Sequence, residues 1–469
     1  MTKLAKPKNI NRIVILNVIG TIIYQGINFL LTPILTRALG TYDFGVVTLY
    51  ISWVNILMPI VSLNLESVLP LITVYVEDKK QNSYITSLAG LSLISFLTIS
   101  ALIMIFIKPV CALLQFEPIV VVMLLVHCFG QMLVNFMITY YVQYQRTILQ
   151  FTFSIGISVT TCFATLGLLK IIADPKMKYL CRIIGYAGPY FIGGLICLFI
   201  ISRLSNKWFC VNVWKFALPI CVPFIFHSLS HLILSQSGKI ILQNYTADGV
   251  ENAGFYGFAF TIASIMQVIW TALNNAWIPY YYRLLAKNET EEVKKSANRY
   301  MILYTGGFSA FCLIAPEFTR IMGGNKYADA DKLVLLMLLG IYMVYMYSFA
   351  VNYKTYQKNT KSIALGTIFA AVVNIIFCLL LTPKYSYWGC AVAMLISYFL
   401  LFIVHQFTVK DIDGLYTCKA RFFLSGGICA VAAVVLSFVL IKYLIIRWVI
   451  AIIIGIFLLA RIIKQKRIF

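Results

Sequence analysis

The chain has 469 residues, of which 61% are hydrophobic and only 12% are charged. Soluble globular proteins carry roughly twice that share of charged residues, so the composition excludes an ordinary soluble domain. The net charge of +22 does not indicate a nucleic-acid-binding protein, because Lys and Arg occur singly between apolar runs and do not gather on one polar domain.

Apolar runs long enough to cross a membrane recur along the whole chain. A helix spans the hydrocarbon core of a bilayer with about 20 apolar residues. The sequence therefore predicts an all-α integral membrane protein with fourteen transmembrane helices. In chain order they cover residues 13–36, 44–64, 85–107, 118–141, 151–172, 181–202, 214–237, 255–277, 300–316, 333–353, 363–382, 388–408, 423–441 and 448–463.

The charges between the spans predict the orientation. Lys and Arg are concentrated in alternate segments, beginning with the N-terminal tail, and the cytoplasmic segments of membrane proteins carry such an excess. We therefore expect both termini in the cytoplasm. The first apolar run is too long for the apolar region of a secretory signal, so we expect it to remain as a span.

The cysteines and the polar stretches do not indicate an enzyme. All twelve Cys residues are dispersed without a CxxC motif, so neither a disulfide framework nor a metal site is expected. The longest polar stretches, 283–299 and 317–332, are too short to fold as domains. A hydrolase or transferase would need a catalytic domain or a dense intramembrane cluster of His and carboxylates. We expect no catalysed reaction and no cofactor.

A weak internal repeat predicts that the spans form two bundles. An aromatic residue followed by glycine opens both the second span, at Phe44, and the eighth, at Tyr256, and a proline follows each of these spans. Transporters are often built from two related bundles. We expect an N-terminal six-helix bundle, a C-terminal six-helix bundle and two additional helices, over residues 1–202, 203–408 and 409–469.

Two short motifs carry a family resemblance. The stretch TPILTRALGTYDFG at residues 32–45 is similar to the first-loop signature of Wzx-type polysaccharide-repeat flippases, and AGFYGF at 253–258 resembles its second-half counterpart. These flippases belong to the multidrug/oligosaccharidyl-lipid/polysaccharide exporter superfamily. The resemblance implies two bundles in a V around a central cavity, alternating access, and transport of undecaprenyl-pyrophosphate-linked oligosaccharide to the outer leaflet of the bacterial plasma membrane. It also implies membrane lipids, a polysaccharide polymerase and glycosyltransferases as partners, and no nucleic acid.

Polar side chains within the spans are candidates for contact with a charged head group, because in a membrane they are costly unless they face water or one another. The polar positions of span one fall within about a third of the helix circumference, and those of span four recur at four-residue spacing. Packing between helices explains either stripe as well; we expect span four to form a cavity wall. The candidates on these spans are Asn17, Gln25, Asn28, His127, Gln131 and Asn135.

Basic residues near the ends of the spans are candidates for contact with a pyrophosphate. Arg37 and Lys239 approach the outer ends of spans one and seven, and Arg146 and Arg283 follow the cytoplasmic ends of spans four and eight. Anchoring at the membrane interface or a purely topological role explains the same residues.

Three more polar side chains and one carboxylate complete the candidate set. His227 and His231 share a face of span seven with Lys239, and Asn275 ends the polar face of span eight. A His-x-x-x-His pair can bind a metal, but a third ligand is missing at a suitable offset, so no metal is expected. Glu66 lies in an apolar stretch and is either the group that couples transport to H⁺ or Na⁺ or a structural ion-pair partner.

Other functions remain open from the sequence alone. A multidrug extruder of the same fold would need an acidic, aromatic cavity for cationic drugs, and only Glu66 fits that need. A flippase for the peptidoglycan precursor would share the cationic cavity. A membrane glycan polymerase or ligase, from a different functional class, is expected to carry a large outward loop, and the predicted outward loops are short.

Overall fold

The structure is a computed structural model that describes residues 26–27, 29–172, 177–411, 414–418 and 420–465. Within these ranges the regular elements are all helices, and twelve of the helices are long and apolar enough to cross a membrane. The predicted all-α membrane fold is thereby confirmed.

The helices follow one another with short connections. In the first half they are α1 (Phe29–Ala38), α2 (Thr41–Ser62), α3 (Leu69–Tyr75), α4 (Asp78–Ile105), α5 (Ile107–Leu114), α6 (Pro118–Gln143), α7 (Thr147–Ile171), α8 (Lys178–Ser202) and α9 (Val211–Tyr245). In the second half they are α10 (Gly249–Ala286), α11 (Thr290–Gly323), α12 (Ala330–Tyr356), α13 (Thr360–Phe407), α14 (Ala420–Val439) and α15 (Leu444–Gln465). Two short 3-10 turns occupy Leu65–Val68 and Asn325–Tyr327.

Every predicted span from the second onward coincides with a helix, and α13 contains two of them. Ser386 interrupts α13 with a non-helical φ of 49° and ψ of −135°. A Cβ at Gly389 would lie only 2.5 Å from the carbonyl oxygen of Leu381, eight residues earlier. This close approach shows that the chain reverses direction at Ser386. The eleventh and twelfth predicted spans are therefore the two arms of one helical hairpin. Most of the first predicted span lies outside the described residues.

The chain divides into two compact units, Met1–Leu229 and Ser230–Phe469, which we call the N-terminal and C-terminal units. The boundary falls within α9. In the C-terminal unit, α14 and α15 pack against α11. The three-part division predicted above, with boundaries after residues 202 and 408, stays a prediction.

Close helix contact holds α6 and α8 together in the N-terminal unit. Gly130 of α6 lies so near α8 that a Cβ there would be 2.2 Å from the carbonyl oxygen of Tyr190. Helices in lipid associate mainly through close packing, because lipid chains are as apolar as the side chains and the hydrophobic effect contributes little. A larger residue at position 130 would force the two helices apart.

A buried ion pair attaches the last helix to the C-terminal unit. Arg447 of α15 is fully buried and forms a bidentate pair with Glu317 of α11, with Nη1 2.9 Å from Oε2 and Nη2 donating to Oε1. The guanidinium also donates to the carbonyl oxygens of Leu313, Leu440 and Ile441. All five of its N–H donors are thus used.

We expect Arg447→Met to lower the free energy of unfolding by about 3–5 kcal/mol, because Glu317 would remain buried without its partner. The double variant Arg447→Met/Glu317→Leu should recover part of that loss. Denaturant unfolding of the purified protein in detergent measures both.

Lys80→Met is the matched control, since Lys80 pairs with Glu77 at 2.9 Å with both side chains mostly exposed. Its loss should cost about 0–1 kcal/mol. Equal losses for Arg447→Met and Lys80→Met would contradict a stabilising role for the buried pair.

Candidate substrate-binding site

The polar stripe on α6 has a fully buried end and a half-buried end. His127 is 0% exposed, whereas Gln131 and Asn135 are partly exposed. The Tyr50 hydroxyl of α2 lies 3.2 Å from Nδ1 of His127, and the Tyr186 ring of α8 is centred 4.5 Å from the imidazole. His127 therefore belongs to the packed interior of the N-terminal unit, and Gln131 and Asn135 are the stripe positions that present surface.

Arg182 of α8 lies beside the same aromatic cluster and was not among the sequence candidates. Its side chain is buried, its Nη1 donates to the Thr165 hydroxyl at 2.9 Å, and its guanidinium lies 4.7 Å from the centre of the Tyr186 ring. Among the described residues no carboxylate pairs with it. The available sequence signal was a charged residue inside a predicted span.

Glu66 lies at a tight corner after α2. Leu63 and Asn64 adopt positive φ angles of 53° and 50°, and the Asn64 amide donates to the Phe224 carbonyl at 3.2 Å and the Ser228 hydroxyl at 2.9 Å on α9. Glu66 is half-buried and lies in the 3-10 turn Leu65–Val68, which follows α2 and precedes α3. Burial raises the pKa of its carboxyl because it disfavours the charged form.

The predicted basic residues fall into two groups. Arg37, Arg146 and Arg283 are exposed, and Arg37 and Arg283 donate to carbonyl oxygens one turn back on their own helices. Lys239 is buried in the C-terminal unit, where its Nζ donates to Gln236 at 2.9 Å and lies 5.1 Å from the centre of the Phe260 ring. Only Lys239 of these four is held inside a unit.

The remaining predicted positions differ in burial. His227 is half-buried, with no hydrogen-bond partner for Nδ1 within the described ranges, and His231 is exposed. The part of the chain that the structure describes contains no group of three His, Cys, Asp or Glu that could hold a metal. Asn17, Gln25 and Asn28 lie outside the described residues.

The buried amide on α10 is Asn274, one residue before the predicted Asn275. Asn275 is exposed, whereas Asn274 is 8% exposed and accepts a hydrogen bond of 2.9 Å from Asn352 of α12. Successive residues on a helix point about 100° apart, so a shift of one position changes the face. A second buried pair, Ser237 with Asn374 at 2.7 Å, connects α9 to α13.

Lys354 of α12 is a further buried basic residue that the sequence did not single out. It is 0% exposed, and its Nζ donates to Ser362 at 3.0 Å, to Nδ1 of His405 at 3.0 Å and to Thr408 at 2.6 Å. It follows the last residue of the tenth predicted span, where a lysine is typical of a solvated loop.

Buried basic side chains without acidic partners are the common feature of the two units. Arg182 in the N-terminal unit, and Lys239 and Lys354 in the C-terminal unit, have no carboxylate partner among the described residues. The buried carboxylates Glu317 and Asp331, in contrast, are each paired with an arginine. This excess of positive charge favours anions over cations as ligands.

The sequence is similar to a known protein family and to a bacterial membrane protein. A profile of the polysaccharide biosynthesis protein family matches residues 11–285. An uncharacterized membrane protein of Haemophilus influenzae is 23% identical over 373 residues, which are 76% of this chain and 86% of that protein.

Two solved structures have the same fold. The lipid II flippase MurJ, in its inward closed conformation, superposes with a TM-score of 0.64 at 14% identity, over 97% of this chain and 100% of that chain. An inward-facing multidrug resistance MATE family transporter of the MOP superfamily superposes with a TM-score of 0.57 at 14% identity, over 88% and 95% of the two chains. At such low identity the likeness establishes the fold alone.

We expect a cysteine at Asn135 to react with a water-soluble thiol reagent in membranes, and a cysteine at His127 to stay protected, once the native cysteines are removed. The difference follows from the burial of the two positions. Mass spectrometry of labelled protein measures this difference.

Phe163→Cys is the control, because Phe163 is 71% exposed on an apolar helix. A side chain that faces lipid should react only with a membrane-permeant reagent. Protection of Asn135→Cys throughout the transport cycle would show that the stripe serves packing.

Proposed function

The chain belongs to the polysaccharide biosynthesis protein family, and we propose that it flips undecaprenyl-pyrophosphate-linked oligosaccharide units from the cytoplasmic to the outer leaflet of the bacterial plasma membrane. The observation that carries the proposal is the set of buried basic side chains without acidic partners: Arg182, Lys239 and Lys354. We propose alternating access with no chemical reaction catalysed, both termini in the cytoplasm, and the polymerase and glycosyltransferases of surface polysaccharide synthesis as partners.

The physical task of such a flippase is to move a charged head group past hydrocarbon. An ionised side chain at the bilayer centre costs at least about 2.5 kcal/mol, and a pyrophosphate carries more than one charge. The isoprenoid tail can stay in the lipid throughout. Basic side chains inside the protein lower the barrier for the head group, because they replace part of its hydration with fixed positive charge.

Two alternative functions within the same fold are each supported by a different structural likeness. The likeness to a lipid II flippase supports transport of a peptidoglycan precursor, and a cationic interior would serve either anionic lipid. The likeness to a multidrug transporter supports drug export, but a cationic drug needs an anionic partner, and Glu66 is the candidate for that role. The charge of the interior favours the oligosaccharide lipid or the peptidoglycan precursor.

We propose further that Glu66 couples transport to a gradient of H⁺ or Na⁺. Its carboxyl is half-buried and lacks a cationic partner within the described part of the chain. Its raised pKa brings protonation closer to neutral pH, so a change in proton concentration can change its charge.

Lys239→Ala should lower the rate of head-group translocation about tenfold or more, because a hydrogen bond to a charged group contributes about 1.5–3 kcal/mol. Lys239→Arg should retain part of the activity. The assay follows labelled undecaprenyl-pyrophosphate-linked oligosaccharide in proteoliposomes at equal protein content, with a peptidoglycan precursor and a cationic dye as competing cargoes.

Lys384→Ala is the matched control, since Lys384 is exposed, and Arg37→Ala tests an exposed basic residue of the predicted set. An unchanged rate for Lys239→Ala would remove this lysine from the substrate path. Faster export of the dye than of either lipid would favour the multidrug alternative.

Glu66→Gln keeps the size of the side chain and removes its titration. We expect the variant to bind the lipid-linked oligosaccharide normally and to lose the dependence of translocation on an imposed H⁺ or Na⁺ gradient. The exposed Glu117→Gln is the control. If Glu66→Gln still responds fully to the gradient, Glu66 is a structural residue.

A further inference from the structure

An apolar groove of about 910 Å³ lies within the C-terminal unit, among α12, the second arm of α13, and α14. Its walls include Met346 of α12, Phe402 of α13, and Phe423, Ile428 and Val435 of α14. These side chains can bind only an apolar ligand or the apolar part of an amphiphile.

The length of the groove matches one leaflet of a bilayer. Its α14 wall runs from Phe423 to Val435, and at 1.5 Å per residue this stretch of helix is about 18 Å long. The hydrocarbon core is roughly 30 Å thick, so one leaflet accounts for about half of it. A ligand lying along α14 would therefore reach from the membrane surface to the bilayer midplane.

The groove is polar at one end only. The Tyr416 hydroxyl donates to Gln406 at 3.0 Å, and its backbone N–H donates to Asp411 at 2.9 Å; all three residues line the groove. The Gln406 Nε2 amide is buried and has no acceptor among the described residues. Lys410 and Arg421 are exposed and are chain neighbours of lining residues: Lys410 lies between Val409 and Asp411, and Arg421 lies two residues before Phe423. The mouth therefore has a hydrogen-bond donor, the carboxylate of Asp411, which already accepts from the Tyr416 backbone, and two basic residues close by in the chain.

We propose that the groove binds one anionic phospholipid of the cytoplasmic leaflet, with acyl chains along α14, an ester carbonyl accepting from Gln406, and the phosphate near Lys410 and Arg421. The predicted orientation places the segment between α13 and α14 on the cytoplasmic side, where anionic lipids attract basic residues. This lipid is a bound component of the protein and is separate from the cargo, so the inference does not depend on the proposed function.

The test uses the full-length protein purified from bilayers of equal phosphatidylglycerol and phosphatidylcholine, with the retained lipid identified by native mass spectrometry. We expect one phosphatidylglycerol per chain. Gly427 lines the groove, and a Cβ there meets only Met346, at 3.9 Å. Gly427→Leu should therefore fill the groove and lower retention about tenfold, the effect of displacing about two methylene groups.

Gly455→Leu is the matched control, because nothing lies within 4 Å of a Cβ at that position on α15, and it should retain the lipid. Ala432→Phe, also in the groove wall, replaces Gly427→Leu if that variant fails to fold. Lys410→Gln/Arg421→Gln should remove the preference for phosphatidylglycerol over phosphatidylcholine.

Three results would overturn the inference. The first is equal retention in the wild type, Gly427→Leu and Ala432→Phe. The second is equal retention of the two phospholipids by the wild type. The third is displacement of phosphatidylglycerol by undecaprenyl phosphate in proportion to its concentration, which would assign the groove to an isoprenoid tail.

Discussion

The absence of hydrogen-bonding partners in hydrocarbon governs this structure. Every backbone N–H and C=O group that crosses the bilayer core must be satisfied within the protein, and helices do this locally. The same constraint acts on side chains, and several buried polar groups are paired between helices. Three such pairs lie in the C-terminal unit: Asn274 with Asn352, Ser237 with Asn374, and Arg447 with Glu317.

Buried polar residues without a charged partner indicate where a ligand could bind. Arg182, Lys239 and Lys354 are buried and bond only neutral partners among the described residues. A buried positive charge without a counter-ion is unfavourable, and natural proteins keep such groups where they serve a function. An anionic cargo that passes these residues would supply the missing negative charge, which is the physical basis of the proposed transport.

The fold by itself does not select the cargo. A lipid II flippase and a multidrug resistance transporter share it with this chain at 14% identity, so the same helical framework occurs in proteins named for different cargoes. Selection depends on the side chains inside each unit. Membership of the polysaccharide biosynthesis family and the excess of buried basic residues both support the proposed anionic cargo. Among the described residues, the buried carboxylates Glu317 and Asp331 are already paired with arginines, so Glu66 is the remaining candidate partner for a cationic drug.

The sequence alone determined the membrane class and the positions of the spans. The length of an apolar run is a local property of the sequence, and it can be compared directly with the thickness of the bilayer core. It also singled out His127 within the fourth span and Lys239 near the outer end of the seventh, but it did not predict that both side chains are buried. Only the tertiary structure distinguished Asn274 from Asn275, since one residue turns a helix face by about 100°. It alone paired Arg447 with Glu317, because residues 130 positions apart become partners only when α15 packs against α11.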